Sequence, residues 1–282
     1  MSITYNPPEK LKQLASTVNV MGILNVTPDS FSDGGKFSGF DKALLQVEKM
    51  IHDGADIIDI GGESTRPGAL LVDEKEELSR VIPLLKAIKE SFDVSVSIDT
   101  SKAAVMEESI VHGADMINDV YALQKPNCLG IIAQSSLPVC LMHMQGSPQT
   151  MQNNPQYDNI IDQVSDFFKS RIEACEQAGI DKSRLILDPG FGFGKTLTHN
   201  YQLLAKLSAF KSFGLPILSG ISRKSMIGDL LKRDVNHRLP GSIAAALISV
   251  QQGASIVRVH DVQETVDALK VLEATSINGS GD

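Results

Sequence analysis

The sequence predicts an α/β fold in which a single (β/α)8 barrel of the TIM type takes up nearly the whole chain. Three observations support this prediction. Short β-branched runs alternate with longer segments of helical period, the alternation repeats eight times, and no long linker or shift in composition interrupts it. A barrel of this kind routinely uses a chain of 282 residues as one domain.

The predicted strands are short and apolar. They are 21–26, 57–61, 94–99, 116–120, 138–143, 184–188, 216–221 and 256–260. Between them, segments such as 73–92 and 157–178 place their apolar residues on one helical face. The echoes "HDGADIIDI", "VHGADMIND" and "QQGASIVRV" put Gly54, Gly113 and Gly253 where a helix ends and a buried strand follows, and glycine suits the left-handed cap of a helix.

The domain boundaries follow from this repeat. Residues 20–276 are predicted to form the barrel, 1–19 an N-terminal extension and 277–282 a C-terminal tail. The start of the chain lacks the apolar core of a signal peptide and no run of 18 apolar residues occurs, so a cytoplasmic location without a membrane partner is expected.

The charge balance argues against two classes of partner. The chain carries 26 Lys and Arg against 34 Asp and Glu, a net charge of −8, which disfavours broad nucleic-acid binding and a membrane-surface role. An anionic ligand would therefore need a local cluster of cations. The three cysteines, Cys128, Cys140 and Cys175, form no CxxC pair and are expected to be buried or incidental reduced thiols.

The carboxyl ends of the predicted strands are polar, although the strands themselves are apolar. Barrel enzymes of this kind carry their active sites at those ends. The residues there are Asn25, Asp59, Asp99, Asn118, His143, Asp188, Lys224, Arg258 and His260. The five other histidines besides His260 are expected to be structural or surface residues.

The segment "LDPGFGFGK" has the appearance of a phosphate-binding loop but the wrong spacing. Gly190 and Gly194 have only three residues between them, and the first position of such a loop would fall on Pro189, which has no N–H to donate. We therefore expect a close-fitting loop above Asp188, with Phe193 at its lip, rather than a phosphate cradle.

Seven segments in order resemble the bacterial dihydropteroate synthases. They are "MGILNVTPDSFSDGG", "IIDIGGESTRPG", "SIDTSK", "MINDV", "LDPGFGFGK", "GISRKSMIG" and "IVRVHDV", and the match runs from about residue 20 to about residue 275. The resemblance implies a transferase of folate biosynthesis. Such an enzyme condenses (7,8-dihydropterin-6-yl)methyl diphosphate with 4-aminobenzoate and releases 7,8-dihydropteroate and diphosphate.

The resemblance also implies roles for the strand-end residues. Asp99, Asn118 and Asp188 would bind the pterin edge, which presents N–H donors and a carbonyl acceptor, and Lys224 would add a cation near both substrates. For Asp99 alone, an N-cap of the following helix is the alternative interpretation. For Asn118 and Asp188, which end buried strands, the alternative is a structural strand-end polar group.

The diphosphate is expected near strands one and eight. Arg258 and His260 lie two residues apart and should point the same way from strand eight, with Asn25 completing the pocket. In the family, the residue at the position of Asn25 helps to hold Mg²⁺ on the diphosphate. A helix-start histidine capped by Asp261 is the alternative for His260.

The aminobenzoate is expected under the loops. The resemblance implies that Phe31, Thr65, Arg66 and Pro67 cover it, with Phe193 and Ser225 beside Lys224, although both loops could be plain connections. Catalytic roles would fall to Asn25, Arg66, Lys224, Arg258 and His260. A dissociative reaction, in which diphosphate leaves before the weakly basic amine attacks, requires no strong general base.

Three other functions are alternatives for this sequence. A pterin-binding methyltransferase module acting on a corrinoid partner would share the pterin residues but needs no diphosphate pocket. A barrel that only binds pterin would have lost one of the charged positions, and a sugar-phosphate isomerase would have glycine-rich phosphate sites where "SRKS" and "RVHD" stand. The resemblance further implies sensitivity to sulfonamides and a homodimer through the late helices, since "IAAALISV" at 243–250 is too apolar to be fully exposed.

Overall fold

The computed structural model describes residues 18–26, 39–64, 71–147, 150–152 and 154–278. Within these ranges the strands are β1 (Asn19–Asn25), β2 (Ile57–Gly61), β3 (Ser95–Asp99), β4 (Met116–Asp119), β5 (Val139–Met142), β6 (Leu185–Asp188), β7 (Leu218–Ser219) and β8 (Ile256–Val259). The helices are α1 (Gly39–His52), α2 (Glu74–Ser91), α3 (Ala103–Val111), α4 (Cys128–Ala133), α5 (Ile160–Gln177), α6 (Leu197–Ala205), α7 (Ser225–Leu231), α8 (Leu239–Gln251) and α9 (Val262–Asn278).

The strands form one parallel sheet that curls into a nearly closed barrel. Their order is β6-β5-β4-β3-β2-β1-β8-β7. The two end strands meet through a parallel bridge between Leu187 and Ile217, and the N–H of Leu187 donates to the carbonyl of Pro216 at 3.0 Å. With helices between the strands, this arrangement confirms the predicted (β/α)8 barrel.

The element boundaries differ from the prediction where local hydrogen bonds decide them. Helix α5 begins at Ile160 rather than at 157, because the side chain of Asn159 accepts the first N–H groups of the helix. Strand β7 is much shorter than the predicted 216–221. Only Leu218 and Ser219 pair with β8, and on the side of β6 the pairing is a single bridge at Ile217. Helix α9 runs to Asn278, past the predicted end of the barrel domain at 276, while residues 1–17 lie outside the described part of the chain.

The barrel interior is apolar in its middle layer and polar at the carboxyl ends of the strands. One layer is made by seven side chains from seven different strands: Met21, Ile57, Met116, Cys140, Ile186, Leu218 and Ile256. Side chains two residues further along a strand face the same way, so the next layer contains Asp59, Asn118, Asp188 and Arg258. The alternation along the strands thus delivers charged groups to the carboxyl end of an apolar core.

The outer layer agrees with the sequence pattern. Gly54, Gly113 and Gly253 all adopt the left-handed conformation predicted for helix ends, with φ values of +98°, +88° and +103°. Cys128, Cys140 and Cys175 are buried free thiols, as expected. Among the helices of the described residues, none is long and apolar enough to cross a membrane.

Gly190 occupies a position that no other residue can fill without moving the backbone. Its φ is +69°, and a Cβ added to it would lie 1.9 Å from the carbonyl oxygen of His143. That carbonyl ends the neighbouring strand β5, where the His143 N–H donates to the carbonyl of Asp188 at 2.9 Å. The loop after β6 therefore passes directly against the end of β5.

Gly190→Ala should lower the free energy of unfolding by about 2 kcal/mol or more, since the substitution combines an unfavourable φ with overpacking. Urea denaturation measures this loss. Gly130→Ala is the matched control, because Gly130 lies in α4 with nothing within 4 Å of an added Cβ. The control should be neutral or stabilising by up to about 1 kcal/mol. Equal effects of the two substitutions would contradict this account of Gly190.

Candidate active site

Arg258 is the centre of a buried charge cluster at the carboxyl end of the barrel. Its Nε donates to Oδ2 of Asp59 at 2.6 Å, and its Nη2 donates to Oδ2 of Asp99 at 2.8 Å. Asn118 joins the cluster, since its Nδ2 donates to the same oxygen of Asp59 at 3.3 Å. Four strands, β2, β3, β4 and β8, therefore contribute side chains to one polar network.

This network settles the alternative interpretation of Asp99. Helix α3 begins at Ala103, with Lys102 at its N-cap position and no side-chain cap, whereas the Asp99 carboxylate binds Arg258. Burial raises the pKa of Asp99 to about 7, and Arg258 opposes this by favouring the charged form. Burial alone would lower the pKa of Arg258, but Asp59 and Asp99 outweigh burial and raise it, so the guanidinium stays charged.

Asp188 lies on the opposite part of the ring at the end of β6. It is 5% exposed, and its Oδ1 accepts the N–H of Gly190 at 2.7 Å. Burial raises the pKa of Asp188, and Lys224, the Gly190 N–H, Lys195 and Arg258 oppose the shift. A carboxylate in this setting is held in one orientation by its own loop, which suits it to accept N–H groups from a ligand.

Lys224 stands at the N-cap position of α7 and reaches across to the loop after β6. Its Nζ donates to the carbonyl of Phe191 and lies 4.6 Å from the centroid of the Phe193 ring. Burial lowers the pKa of Lys224 to about 8, with Asp188 opposing the shift. The next residue, Ser225, is the first of α7. The structure thus brings Lys224, Phe193 and Asp188 to one side of the site.

Arg258 and His260 engage different partners. Strand β8 ends at Val259, and while Arg258 reaches the carboxylates inside the barrel, Nδ1 of His260 lies 3.1 Å from Oγ of Ser222 in the loop after β7. The expectation that the two side chains point the same way from strand eight stays a prediction, since β8 ends at Val259, before His260. Both nevertheless remain at the carboxyl end of β8.

Asp261 does not cap the final helix with its side chain. It gives its carbonyl to the N–H of Thr265 at 3.2 Å, while its carboxylate forms an ion pair with Arg223, whose Nε donates at 2.9 Å. Arg223 has a φ of +58°, so the loop after β7 turns sharply to make this contact. The Asp261 cap proposed as the alternative for His260 is thus replaced by a long-range ion pair.

Asn25 is placed beside this cluster by β1. A Cβ added to Gly61 on the neighbouring strand would lie 3.6 Å from Oδ1 of Asn25 and 3.9 Å from Oδ2 of Asp99. Because Gly61 has no side chain, a small space, here called the cradle at Gly61, remains next to Oδ1 of Asn25 and Oδ2 of Asp99. Phe31, Thr65, Arg66 and Pro67 lie outside the described residues, and their assignments stay predictions.

The sequence alone predicts no role for two residues of the site. Asp59 belonged to the predicted strand-end ring, and its signal was an acidic residue within the buried run "IIDIG"; the structure makes it the partner of both Arg258 and Asn118. Lys195 followed the glycine-rich segment and is 3% exposed. Its Nζ lies 2.8 Å from the carbonyl oxygen of Gly190 and 3.0 Å from that of Phe193, so the loop encloses the side-chain nitrogen of a buried lysine.

The chain is similar to known proteins in both sequence and fold. The chain matches the family model described as pterin binding enzyme over residues 21–260. A dihydropteroate synthase of Haemophilus influenzae is 56% identical over 261 residues, which cover 93% of this chain and 95% of that protein.

Two solved structures share the whole barrel. The dihydropteroate synthase of Yersinia pestis with a sulfonamide drug complex has a TM-score of 0.89 and 56% identity, covering 93% of this chain and 95% of its own. The enzyme of Xanthomonas albilineans in complex with 7,8-dihydropteroate has a TM-score of 0.86 and 45% identity, with the same shares covered. Since the similarity extends over nearly the full length of both partners, the chain belongs to the pterin-binding enzymes and, among them, to the dihydropteroate synthases.

Proposed function

We infer that the chain performs the reaction of its family, condensing (7,8-dihydropterin-6-yl)methyl diphosphate with 4-aminobenzoate to give 7,8-dihydropteroate and diphosphate. The observation that carries this conclusion is the ring of Asp99, Asn118, Asp188 and Arg258 inside the barrel opening, in a chain 45% identical to an enzyme solved with 7,8-dihydropteroate. The methyltransferase module, which was the main alternative, lacks comparable support, since the relative at 56% identity is a dihydropteroate synthase.

The pterin is proposed to bind against Asp188 and Asn118. Oδ1 of Asp188 is occupied by the Gly190 N–H, and Oδ2 accepts no hydrogen bond from the described residues, so Oδ2 is the acceptor offered to a pterin N–H. The Asn118 amide supplies both a donor and an acceptor, and its Nδ2 is already oriented by Asp59. Rigid strands hold both groups, which reduces the ordering that binding must bring about.

The diphosphate is proposed to lie between β1 and β8. Nε and Nη2 of Arg258 are held by Asp59 and Asp99, while Nη1 makes no hydrogen bond within the described residues. Nη1 can therefore meet a phosphate oxygen without breaking either ion pair. His260 and Asn25 would complete this pocket, and stabilising the charge that develops as diphosphate departs is the largest contribution such a site can make.

Asn25 is the residue that would hold Mg²⁺. Its amide oxygen is a hard neutral ligand beside the cradle at Gly61, and Mg²⁺ is commonly bound by few protein oxygens together with substrate phosphates. When bound, the ion would neutralise part of the charge on the diphosphate. The residues present fit this group.

The aminobenzoate is proposed to approach from the side of Lys224. The ammonium above the Phe193 ring and the nearby Ser225 offer a positive, partly aromatic surface suited to an aryl carboxylate. Phe31, Thr65, Arg66 and Pro67 are proposed to cover the same substrate. Once diphosphate has left, the electron-rich pterin stabilises the cationic carbon, and the amine attacks without a strong general base.

We also propose a homodimer formed through the late helices. Four apolar side chains on or near α7 and α8 are exposed: Leu230, Leu231, Val235 and Ile248. Exposed apolar side chains on these late elements support an association surface there. The cytoplasmic location likewise stays a prediction from the sequence.

Arg258→Ala should lower the rate of diphosphate release by about a hundredfold, equivalent to about 3 kcal/mol of lost transition-state stabilisation. The assay measures diphosphate after adding the pterin diphosphate, Mg²⁺ and 4-aminobenzoate. Arg258→Lys should recover only part of the rate, because an ammonium cannot form the fork of donors. Arg171→Ala is the control, since Arg171 donates to the Ala122 carbonyl outside the barrel interior. If Arg258→Ala keeps full activity, the diphosphate site is not at Arg258 and would be reassigned to the loop that contains Arg66.

The value of kcat/KM for the pterin diphosphate should fall about tenfold per pH unit above pH 8, because Lys224, whose pKa is lowered to about 8, loses its charge there. The sign follows from the lysine being a cation only below its pKa. Lys224→Arg should move this fall to higher pH, since a guanidinium stays protonated. Lys89→Arg, which changes an ion pair with Asp115 away from the site, should leave the profile unchanged. An unchanged alkaline fall in Lys224→Arg would exclude Lys224 as its origin.

Sulfonamides should inhibit in competition with 4-aminobenzoate, because a sulfonyl group resembles the carboxylate proposed to lie near Ser225 and Lys224. The motivating observation is the Yersinia pestis relative solved with a sulfonamide drug complex. Steady-state inhibition at several 4-aminobenzoate concentrations tests this. An inhibition constant independent of 4-aminobenzoate would count against the assigned site.

A further inference from the structure

Lys195 is a buried lysine whose Nζ is enclosed by backbone carbonyls, and burial lowers its pKa well below the ordinary lysine value. Its Nζ lies 2.8 Å from the carbonyl oxygen of Gly190, 3.0 Å from that of Phe193 and 3.3 Å from that of His143. It also lies 3.0 Å from Nδ1 of the His143 ring. Burial lowers the pKa of His143 to about 2 and Lys195 adds to this shift, so the imidazole is neutral and its Nδ1 is the acceptor of this contact.

The glycines of the loop make this enclosure possible. Gly190, Gly192 and Gly194 all have positive φ values, of +69°, +81° and +63°. In a phosphate loop, successive N–H groups wrap an anion. Here the chain turns the other way, and two of its carbonyls converge on Nζ of Lys195. The segment therefore resembles a phosphate loop in sequence, but it points carbonyl oxygens rather than N–H groups at the group that it encloses.

The remaining carbonyls of the loop are held by side chains from three other segments. The carbonyl of Phe191 accepts from Lys224, that of Gly192 from Nε2 of Gln152 at 2.6 Å, and that of Gly194 from the Tyr157 hydroxyl at 2.9 Å. Lys195 differs from these because it binds two loop carbonyls and the end of β5 at once. It is therefore the group that ties the loop to the barrel.

The same loop also determines how two site residues are held. The N–H of Gly190 donates to Oδ1 of Asp188 at 2.7 Å, and the carbonyl of Gly190 accepts from Lys195. The N–H and the carbonyl of Gly190 thus connect Asp188 to Lys195 through two hydrogen bonds. Burial raises the pKa of Asp188, and Lys195 is among the cations that oppose the shift, so the two groups are also coupled through charge.

We propose that Lys195 is a positioning residue for the pterin: through Gly190 it fixes the orientation of the Asp188 carboxylate. This inference rests on the proposed function, because it assumes that Asp188 binds the pterin. A purely structural lysine would stabilise the fold but would not affect pterin affinity by way of Asp188. The difference between these two roles is a coupling that can be measured.

The test is a double-mutant cycle with Lys195→Met and Asp188→Asn, in which calorimetry measures the Kd of 6-hydroxymethylpterin. Lys195→Met should weaken binding about tenfold in the wild-type background, and by less than about twofold when Asp188 is already Asn. Lys195→Gln retains a donor for the carbonyls and should fall between Met and the wild type. If Lys195→Met does not fold, Lys195→Gln takes its place in the cycle.

Lys89→Met is the matched control. Lys89 also ties a helix to the barrel, through Asp115 at 2.8 Å, but at the end away from the site. It should lower the unfolding temperature while leaving the Kd unchanged. If Lys195→Met weakens pterin binding equally in both backgrounds, or in neither, the inference about Lys195 is overturned. The proposed function still stands in that case if Asp188→Asn by itself weakens pterin binding. No pterin binding by the wild type would overturn both.

Discussion

The site depends on one interaction, the pairing of Arg258 with Asp59 and Asp99 inside the barrel. The partners are 199 and 159 residues apart in the sequence, and the pairing links β8 to β2 and β3 across the barrel opening. Buried charges are tolerated only when paired and hydrogen-bonded, so each of these three residues requires the others. The apolar layer below excludes water and strengthens the pairing. From this network Asn118 receives its orientation through Asp59, and Arg258 is presented with one nitrogen available to a phosphate.

The two sides of the site use charge in different ways. Around Arg258 the cation is permanent and favours the charged form of Asp99, whose pKa burial nevertheless raises to about 7. Around Asp188 the carboxylate faces two lysines, and burial brings the pKa of Lys224 down to about 8. A protein with a net charge of −8 thereby places Arg258 and Lys224 where a diphosphate and an aryl carboxylate are proposed to bind. Local arrangement, rather than the overall charge, makes anion binding possible.

The sequence predicted the fold and the ring because both follow from local regularities. Period-two alternation places Asp99, Asn118 and Asp188 on the inner face, and the repeated strand–helix order predicts which end they share. The partners of these residues could not be predicted in the same way. Ser222 beside His260, and Asp59 beside Arg258, are contacts between distant segments that depend on barrel closure and on the turn at Arg223. That the glycine-rich loop is not a phosphate cradle stays a prediction. The enclosure of Lys195 within it involves His143 from another segment and had no signal in the loop sequence itself.

The most direct test of this account is a crystal structure of the protein with a non-hydrolysable phosphonate analogue of the pterin diphosphate and Mg²⁺. We expect a pterin N–H within hydrogen-bond distance of the Asp188 carboxylate, an Asn118 contact on the same edge, and a phosphonate oxygen on Arg258 while its ion pairs with the two carboxylates persist. A phosphonate bound instead at the Arg66 loop, or a pterin ring outside the strand-end ring, would contradict the central claim.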